Sequence, residues 1–305
     1  MPAFWAPITK RFGNARHGAV QRSRRVGSPR DRETRRESVG FVVLVDAIEL
    51  TQSCYLSCVL SWFNNQLRRF KRQRGGSPQT RFVILFPGRT GSSHLISCLA
   101  RHPQIHVEGE GLVRLDTAAQ REFLHRLYSK PAPRGVTAVG FKTKLKDVSA
   151  LDEFASTLIN HEVRILTLLR ENRVKLAIST LNARRIHAMH GRWNLTTGQA
   201  PLPPLDACVD DIVAMIERVD AAQHEVSKFA TSLPLPRLEV TYEALLTSHA
   251  SSMTQIQEFL QVVPRSLMGD VAKATVDDLR RSVVHFDELA ARLQHTKFAH
   301  DVAEG

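Results

Sequence analysis

Phe82-Val83-Ile84-Leu85-Phe86-Pro87-Gly88-Arg89-Thr90-Gly91-Ser92-Ser93-His94 decides how the rest of the chain is read. The opening apolar run is strand-length and has no polar alternation, so it reads as a strand buried on both faces. Pro87 and Gly88 end it, and the spacing of Leu95, Ile96 and Leu99 begins a helix. A strand, a glycine-bearing loop and a helix start make an anion site. Glycines let backbone N–H groups point inward, the helix N-terminus carries partial positive charge, and Ser92 and Ser93 add hydroxyl donors. Arg89 supplies a full charge. No Lys follows Gly91, which counts against an ATP-type loop of the pattern G-x-x-x-x-G-K-[ST]. Without a ligand, the same residues are a capped helix after a tight turn.

Outward from this loop, short apolar runs alternate with helical patterns. Strands are predicted at Arg81 to Phe86, Val136 to Phe141, Val163 to Leu169 and Arg237 to Thr241. Helices are predicted at about Ser92 to Arg101, Ala150 to Asn160, Arg173 to His190 and Asp206 to Thr231. Nearly continuous strands separated by helices imply an α/β fold of three layers, with a central parallel sheet covered on both faces.

The charge is unevenly spread. The chain of 305 residues has a formal charge of +12, yet residues 1 to 81 hold 16 basic and 5 acidic side chains, and the remainder is nearly neutral. Arg22, Arg24, Arg25, Arg30, Arg32, Arg35 and Arg36 crowd a stretch without apolar periodicity, which reads as disordered. Phe41 to Phe63 is long enough to cross a bilayer, but Asp46 and Glu49 oppose insertion, and an amphipathic or surface helix suits it better. Gly75-Gly76-Ser77-Pro78 is a linker signal. Residues 1–78 are therefore expected to be a basic extension with one helix near 41–70, and residues 79–305 a folded domain. No Met occurs between Met1 and Met189, so a later start would need a non-Met first codon; residues 1 to about 75 are still read as an upstream extension without a catalytic role.

Cys54, Cys58, Cys98 and Cys208 suggest no disulfide framework, and Cys54 with Cys58 lacks the other half of a zinc site. A cytoplasmic location is expected, with membrane association through residues 41–63 as the alternative.

A second element matters. After the strand ending at Leu169 come Arg170-Glu171-Asn172 and a helix carrying Ser179. An Arg at a strand's carboxyl end and a Ser on the next helix can reach one phosphate, although singly each is ordinary. Together with the first loop, these residues resemble the sulfotransferase family, whose members move a sulfuryl group from 3′-phosphoadenosine 5′-phosphosulfate (PAPS) to a hydroxyl or amine. Pro87-Gly88-Arg89-Thr90-Gly91-Ser92-Ser93 is similar to the family's 5′-phosphosulfate loop, with Gly88 inserted. Arg170 to Ser179 is similar to its 3′-phosphate segment in the longer-spaced form of bacterial carbohydrate and nodulation-type members. His102-Pro103-Gln104-Ile105 with Gly109-Glu110, Gly140-Phe141-Lys142, Gly191-Arg192-Trp193, Val240-Thr241-Tyr242-Glu243-Ala244-Leu245 and Phe286-Asp287-Glu288-Leu289 with His295-Thr296 extend the likeness over about residues 81 to 300. Residues 1 to 80 match nothing in the family.

The resemblance implies a P-loop-like sulfotransferase fold with PAPS held by Arg89, Thr90, Gly91, Ser92, Ser93, Arg170 and Ser179. In-line sulfuryl transfer needs a cation at the departing phosphate and a base at the acceptor hydroxyl. Arg89 fits the first role. Glu110 is the first choice for the base, with Glu108 two residues away. If the segment is extended the two share a face, and both also read as helix caps. His94 and His102 qualify by proximity only. Lys142 reads as support for the sulfuryl group or as a solvated strand-end charge, and Trp193 as a sugar-stacking face or a packed aromatic. Gly191 to Pro204 reads as an acceptor loop, and Asn194-Leu195-Thr196 within it is a glycosylation sequon. No metal is required. A carbohydrate or glycolipid hydroxyl is the expected acceptor. A nucleic-acid-binding protein acting through the N-terminal arginines, or a P-loop kinase, are the alternatives; nothing in residues 82 to 305 resembles a base-reading module.

Overall fold

The computed structural model describes residues 78, 80–193, 195, 202–269 and 278–303. The expected helix near 41–70, residues 1–77 of the N-terminal extension with the linker Gly75 to Ser77, Cys54 with Cys58, and Asn194 and Thr196 of the sequon lie outside them. No helix among the described residues is long and apolar enough to cross a membrane.

Five strands form one sheet: β1 (Thr80–Leu85), β2 (Ile105–Glu110), β3 (Ala138–Thr143), β4 (Arg164–Leu169) and β5 (Arg237–Thr241). Their order is β2-β3-β1-β4-β5, and every pairing is parallel. The expected three-layer α/β fold is therefore present. β1 is central because both of its faces are apolar: Phe82, Ile84 and Phe86 pack on one side, Val83 and Leu85 on the other, and all are buried.

Helices cover both faces. α1 (Ser92–Leu99) inserts Leu95, Cys98 and Leu99 against Phe82, Ile84 and Phe86. α2 (Thr117–Ser129), α3 (Leu151–Asn160), α4 (Arg173–His190) and α5 (Val209–Ser232) follow in chain order. α2, α3 and the C-terminal half of α5 close the face bearing Val83 and Leu85, through Phe123, Leu127, Phe154 and Phe229. After β5 come α6 (Tyr242–Thr247) and α7 (His249–Phe259), which return to the α1 face with Leu245, Met253 and Ile256. α8 (Leu279–Ser282), α9 (Phe286–Leu293) and α10 (Ala299–Ala303) pack with α4 and α5 around a third apolar cluster.

The four strands read from the sequence are present. β2 and α2 are additions, and both lack a clean apolar period. β2 reads Ile-His-Val-Glu-Gly-Glu at the sheet edge, where only Ile105 and Val107 are buried. α2 buries Gln120, whose amide binds the carbonyls of Leu112, Leu115 and Asp147, so a polar residue occupies a core position.

Candidate active site

All five strands are parallel, so their carboxyl ends lie along one edge of the sheet, with the order reversing about β1. That edge is where ligands bind in open parallel sheets. Along it stand Glu110 (β2), Lys142 and Lys144 (β3), the loop from Pro87 to Gly91 (β1), Arg170 (β4), and Tyr242 with Glu243 (β5).

The loop is built for close backbone approach. Gly88, Arg89 and Gly91 have φ of 118°, 57° and 78°. Arg89 adopts a left-handed conformation that costs a non-glycine residue about 1 kcal/mol or more. Gly91 caps α1 without a side-chain hydrogen bond, and a Cβ there would lie 2.7 Å from the Tyr242 ring. Only glycine allows both the turn and the aromatic packed on it. Thr90 is fully buried, and its Oγ1 has no hydrogen-bond partner among the described residues.

On the β4 side, two guanidinium groups meet. Arg89 Nε donates to Ser179 Oγ at 3.4 Å, and its Nη1 to the Trp193 carbonyl at 3.2 Å. Arg170 is 5 % exposed and lies over the Tyr242 ring at 4.6 Å. Its Nε is 3.7 Å from Glu243 Oε1, beyond hydrogen-bond reach, and is buried without an acceptor among the described residues. Burial lowers the pKa of Arg89, and the neighbouring Arg170 charge lowers it further, against a smaller upward push from Tyr242. Burial also lowers Arg170, opposed by Tyr242 and Glu243. Both shifts mean that burial makes the positive charge less favourable at these groups than in water.

Arg170 is held from behind. Gln223 Oε1 accepts its backbone N–H at 2.7 Å, and Gln223 Nε2 donates to its carbonyl at 3.0 Å. Glu243 accepts from the backbone N–H groups of Glu171 and Asn172, at 2.9 and 3.4 Å. Tyr242, Glu243 and Gln223 were not singled out as site residues from the sequence. The first two stand in the quoted segment Val240 to Leu245, whereas Gln223 sits in mid-helix with no signal around it.

On the β3 side, Lys142 is 6 % exposed. Its Nζ donates to Ser92 Oγ at 3.1 Å and Ser93 Oγ at 3.3 Å, and approaches Glu110 Oε1 at 3.6 Å. Its reading as a solvated strand-end charge is therefore wrong: the alternation of β3 turns it inward, opposite Ile84. Lys144 hydrogen-bonds Glu110 Oε2 and lies 3.5 Å from Asp147. Both ammonium groups sit 5.1 Å from the Phe86 ring centroid. Burial raises the pKa of Glu110, but hydrogen bonds and charge from Lys144 and Lys142 outweigh it and hold the carboxyl below its usual value. Burial pushes Lys142 down, and Glu110 partly restores it.

A bulge separates the two glutamates that extended spacing would place on one face. Glu108 pairs with Phe141 of β3 and Glu110 with Lys142, so Gly109 is the extra residue. Phe141 and Lys142 point to opposite faces. Glu108 accordingly faces α2, where Arg126 binds it at 3.1 and 3.3 Å, while Glu110 faces the lysines and α1. Neither carboxylate caps a helix.

His102 is buried, with Nε2 2.9 Å from the Val263 carbonyl and Nδ1 accepting from Gln104 N–H at 3.1 Å. His94 stands beside Cys98 and His249. Trp193 is 55 % exposed, and one face of its indole stacks on His187 with centroids 4.2 Å apart.

No protein-family description matches the sequence, and no curated protein matches it. Among solved structures, a sulfotransferase from Alicyclobacillus acidocaldarius is similar at 19 % identity and a TM-score of 0.41, over 75 % of this chain and 94 % of that one. The mouse sulfotransferase SULT7A1 complexed with PAP is similar at 14 % and 0.40, over 75 % and 90 %. A retinol dehydratase in complex with androsterone and PAP follows at 15 % and 0.35, over 74 % and 70 %.

Proposed function

We propose that the chain is a PAPS-dependent sulfotransferase acting on a hydroxyl acceptor, with a carbohydrate or glycolipid as the acceptor class. The observation that carries this reading is the line of cationic and hydroxyl donors across the loop, with Arg89, Arg170 and Ser179 on one side and Lys142, Ser92 and Ser93 on the other. A ligand with two separate anionic groups suits such a line, and PAPS carries a 3′-phosphate and a 5′-phosphosulfate. The buried Thr90 Oγ1 and Arg170 Nε, both without partners, match phosphate oxygens as acceptors.

In this reading Arg170 and Ser179 hold the 3′-phosphate. Arg89, Ser92, Ser93 and the backbone N–H groups from Thr90 and Gly91 hold the 5′-phosphate, and Arg89 neutralises charge as that phosphate departs. Lys142 reaches the same serines and supports the sulfuryl oxygens. Glu110, kept ionised by its two lysines, accepts the proton of the acceptor hydroxyl. Glu108 is committed to Arg126, which favours Glu110 for this role. The exposed face of Trp193 is a platform for a sugar ring. No metal is invoked, since lysine and arginine supply the positive charge.

Two measurements test the proposal together. Adenosine 3′,5′-bisphosphate should raise the melting temperature, and labelled sulfate from PAPS should appear in one fraction among polysaccharide, lipid and small-alcohol pools. No thermal shift at millimolar ligand would overturn it.

A further inference from the structure

We propose that His94, Cys98 and His249 form a binding site for one zinc-class cation, separate from the anion site and holding α1 to α7. Cys98 Sγ lies 3.7 Å from His94 Nε2, four residues apart on one face of α1. One ligand atom from each of the three residues lies within 4.8 Å of the others. In a tetrahedral centre with Zn–S about 2.3 Å and Zn–N about 2.0–2.1 Å, neighbouring ligand atoms stand about 3.3–3.6 Å apart. The His94–Cys98 pair is already near that separation, and a ligand atom of His249 lies within 4.8 Å of both.

The surroundings of His249 point to a ligand. Its Nε2 is 2.8 Å from the Leu267 carbonyl, and its Nδ1 is 3.3 Å from the Leu245 carbonyl. A neutral imidazole carries one N–H. With that N–H on Nε2, donating over the shorter contact, the Nδ1 lone pair is available to a cation. A metal-bound histidine commonly donates its other N–H to a backbone carbonyl, as Nε2 does here.

His94 and His249 are half-buried. Cys98 is fully buried, and a Cβ at Gly269 would lie 2.8 Å from His94 Nδ1, 2.9 Å from Cys98 Sγ and 2.5 Å from Ser97 Oγ. The chain therefore passes over His94, Ser97 and Cys98 at a distance only glycine allows. Two imidazoles and a thiolate suit zinc, or cobalt as its spectroscopic substitute, and leave a fourth position open. Binding breaks the Cys98 S–H bond, releases the proton to solvent, and uses the sulfur lone pair for the metal–sulfur bond. No oxidation state changes.

The test uses the full chain, stripped with a chelator and loaded with Co²⁺ or Zn²⁺. One equivalent should survive gel filtration, and the cobalt form should show thiolate-to-cobalt charge transfer with tetrahedral d–d bands. Cys98→Ser should remove the charge-transfer band, Cys54→Ser with Cys58→Ser should leave it, and Gly269→Ala should weaken zinc at least tenfold. Failure of the wild type to retain either metal overturns the proposal whatever the variants do. A charge-transfer band that survives Cys98→Ser assigns the metal elsewhere and overturns it equally. Should Cys98→Ser fail to fold, His249→Gln must lose the retained equivalent.

Discussion

Arg89 Nε donates to Ser179 Oγ at 3.4 Å, which joins the loop after β1 to the helix after β4 within a site that also contains the buried guanidinium of Arg170. The two cations oppose one another before any ligand binds.

That repulsion gives the first prediction. Arg89→Met should leave the protein without ligand as stable as the wild type or more so, because it removes a half-buried cation that the Arg170 charge disfavours. The same variant should lose the stabilisation by adenosine 3′,5′-bisphosphate, which for the wild type is about 2.7 kcal/mol at a hundredfold excess over Kd. Thermal melts with and without ligand check both signs.

Gly91 bears the backbone turn and the Tyr242 contact together. Gly91→Ala should cost about 1–2 kcal/mol for the left-handed conformation alone, and more because the Tyr242 ring must move. Gly88→Ala meets only Lys144 Cε at 3.8 Å, so its cost should be confined to the backbone. Chemical denaturation of the two variants should rank Gly91→Ala as the more damaging, and only Gly91→Ala should displace Tyr242 from Arg170.

Gln223 touches the site only from behind. Gln223→Leu leaves the buried N–H of Arg170 without its partner, at a cost of about 1–3 kcal/mol, while the carbonyl keeps the hydrogen bond from Arg173 Nη1. Stability should fall by about that much or more, and ligand affinity should fall as well, because Arg170 loses its anchor. Calorimetric titration with adenosine 3′,5′-bisphosphate reads the second effect, which a purely structural role elsewhere in α5 would leave unchanged.

Glu110 sets the pH behaviour. Its carboxyl is held below the usual value in the folded chain, so its contribution to stability is present above the unfolded pKa and is lost as pH falls through the folded one. As a base it should stay ionised through neutral pH, with the acid limb of the pH–rate profile below the ordinary glutamate range. Lys144→Met removes the largest lowering influence and lets burial push the carboxyl up. The acid limb should then move to higher pH, whereas Arg126→Met, which touches Glu108, should leave it in place.

The central strands were legible because both of their faces are buried, so Phe82 to Phe86 and Val163 to Leu169 need no alternation. β2 was not, since an edge strand bearing His106, Glu108 and Glu110 lacks that signature. The division between Glu108 and Glu110 depends on the bulge at Gly109, which is a property of pairing with β3 and has no local sequence signal. The loop from Pro87 to Ser93 announced an anion site by itself, while Arg170 and Ser179 acquired meaning only beside it. Tyr242 on Gly91 and Gln223 behind Arg170 are long-range contacts, which periodicity does not report. Lys142 was ambiguous until its neighbours on β1 and α1 were known, because inward and outward ends of a strand look alike in sequence.

The opposed Arg89 and Arg170 have a consequence for the cell. An anion that bridges them turns a destabilising pair into a stabilising one, so the folded fraction rises with ligand supply. Quality control acts on the unfolded fraction, and a difference of 1–2 kcal/mol changes protein abundance about several-fold. For the proposed PAPS site, the steady-state amount of this chain would then rise and fall with the supply of that ligand.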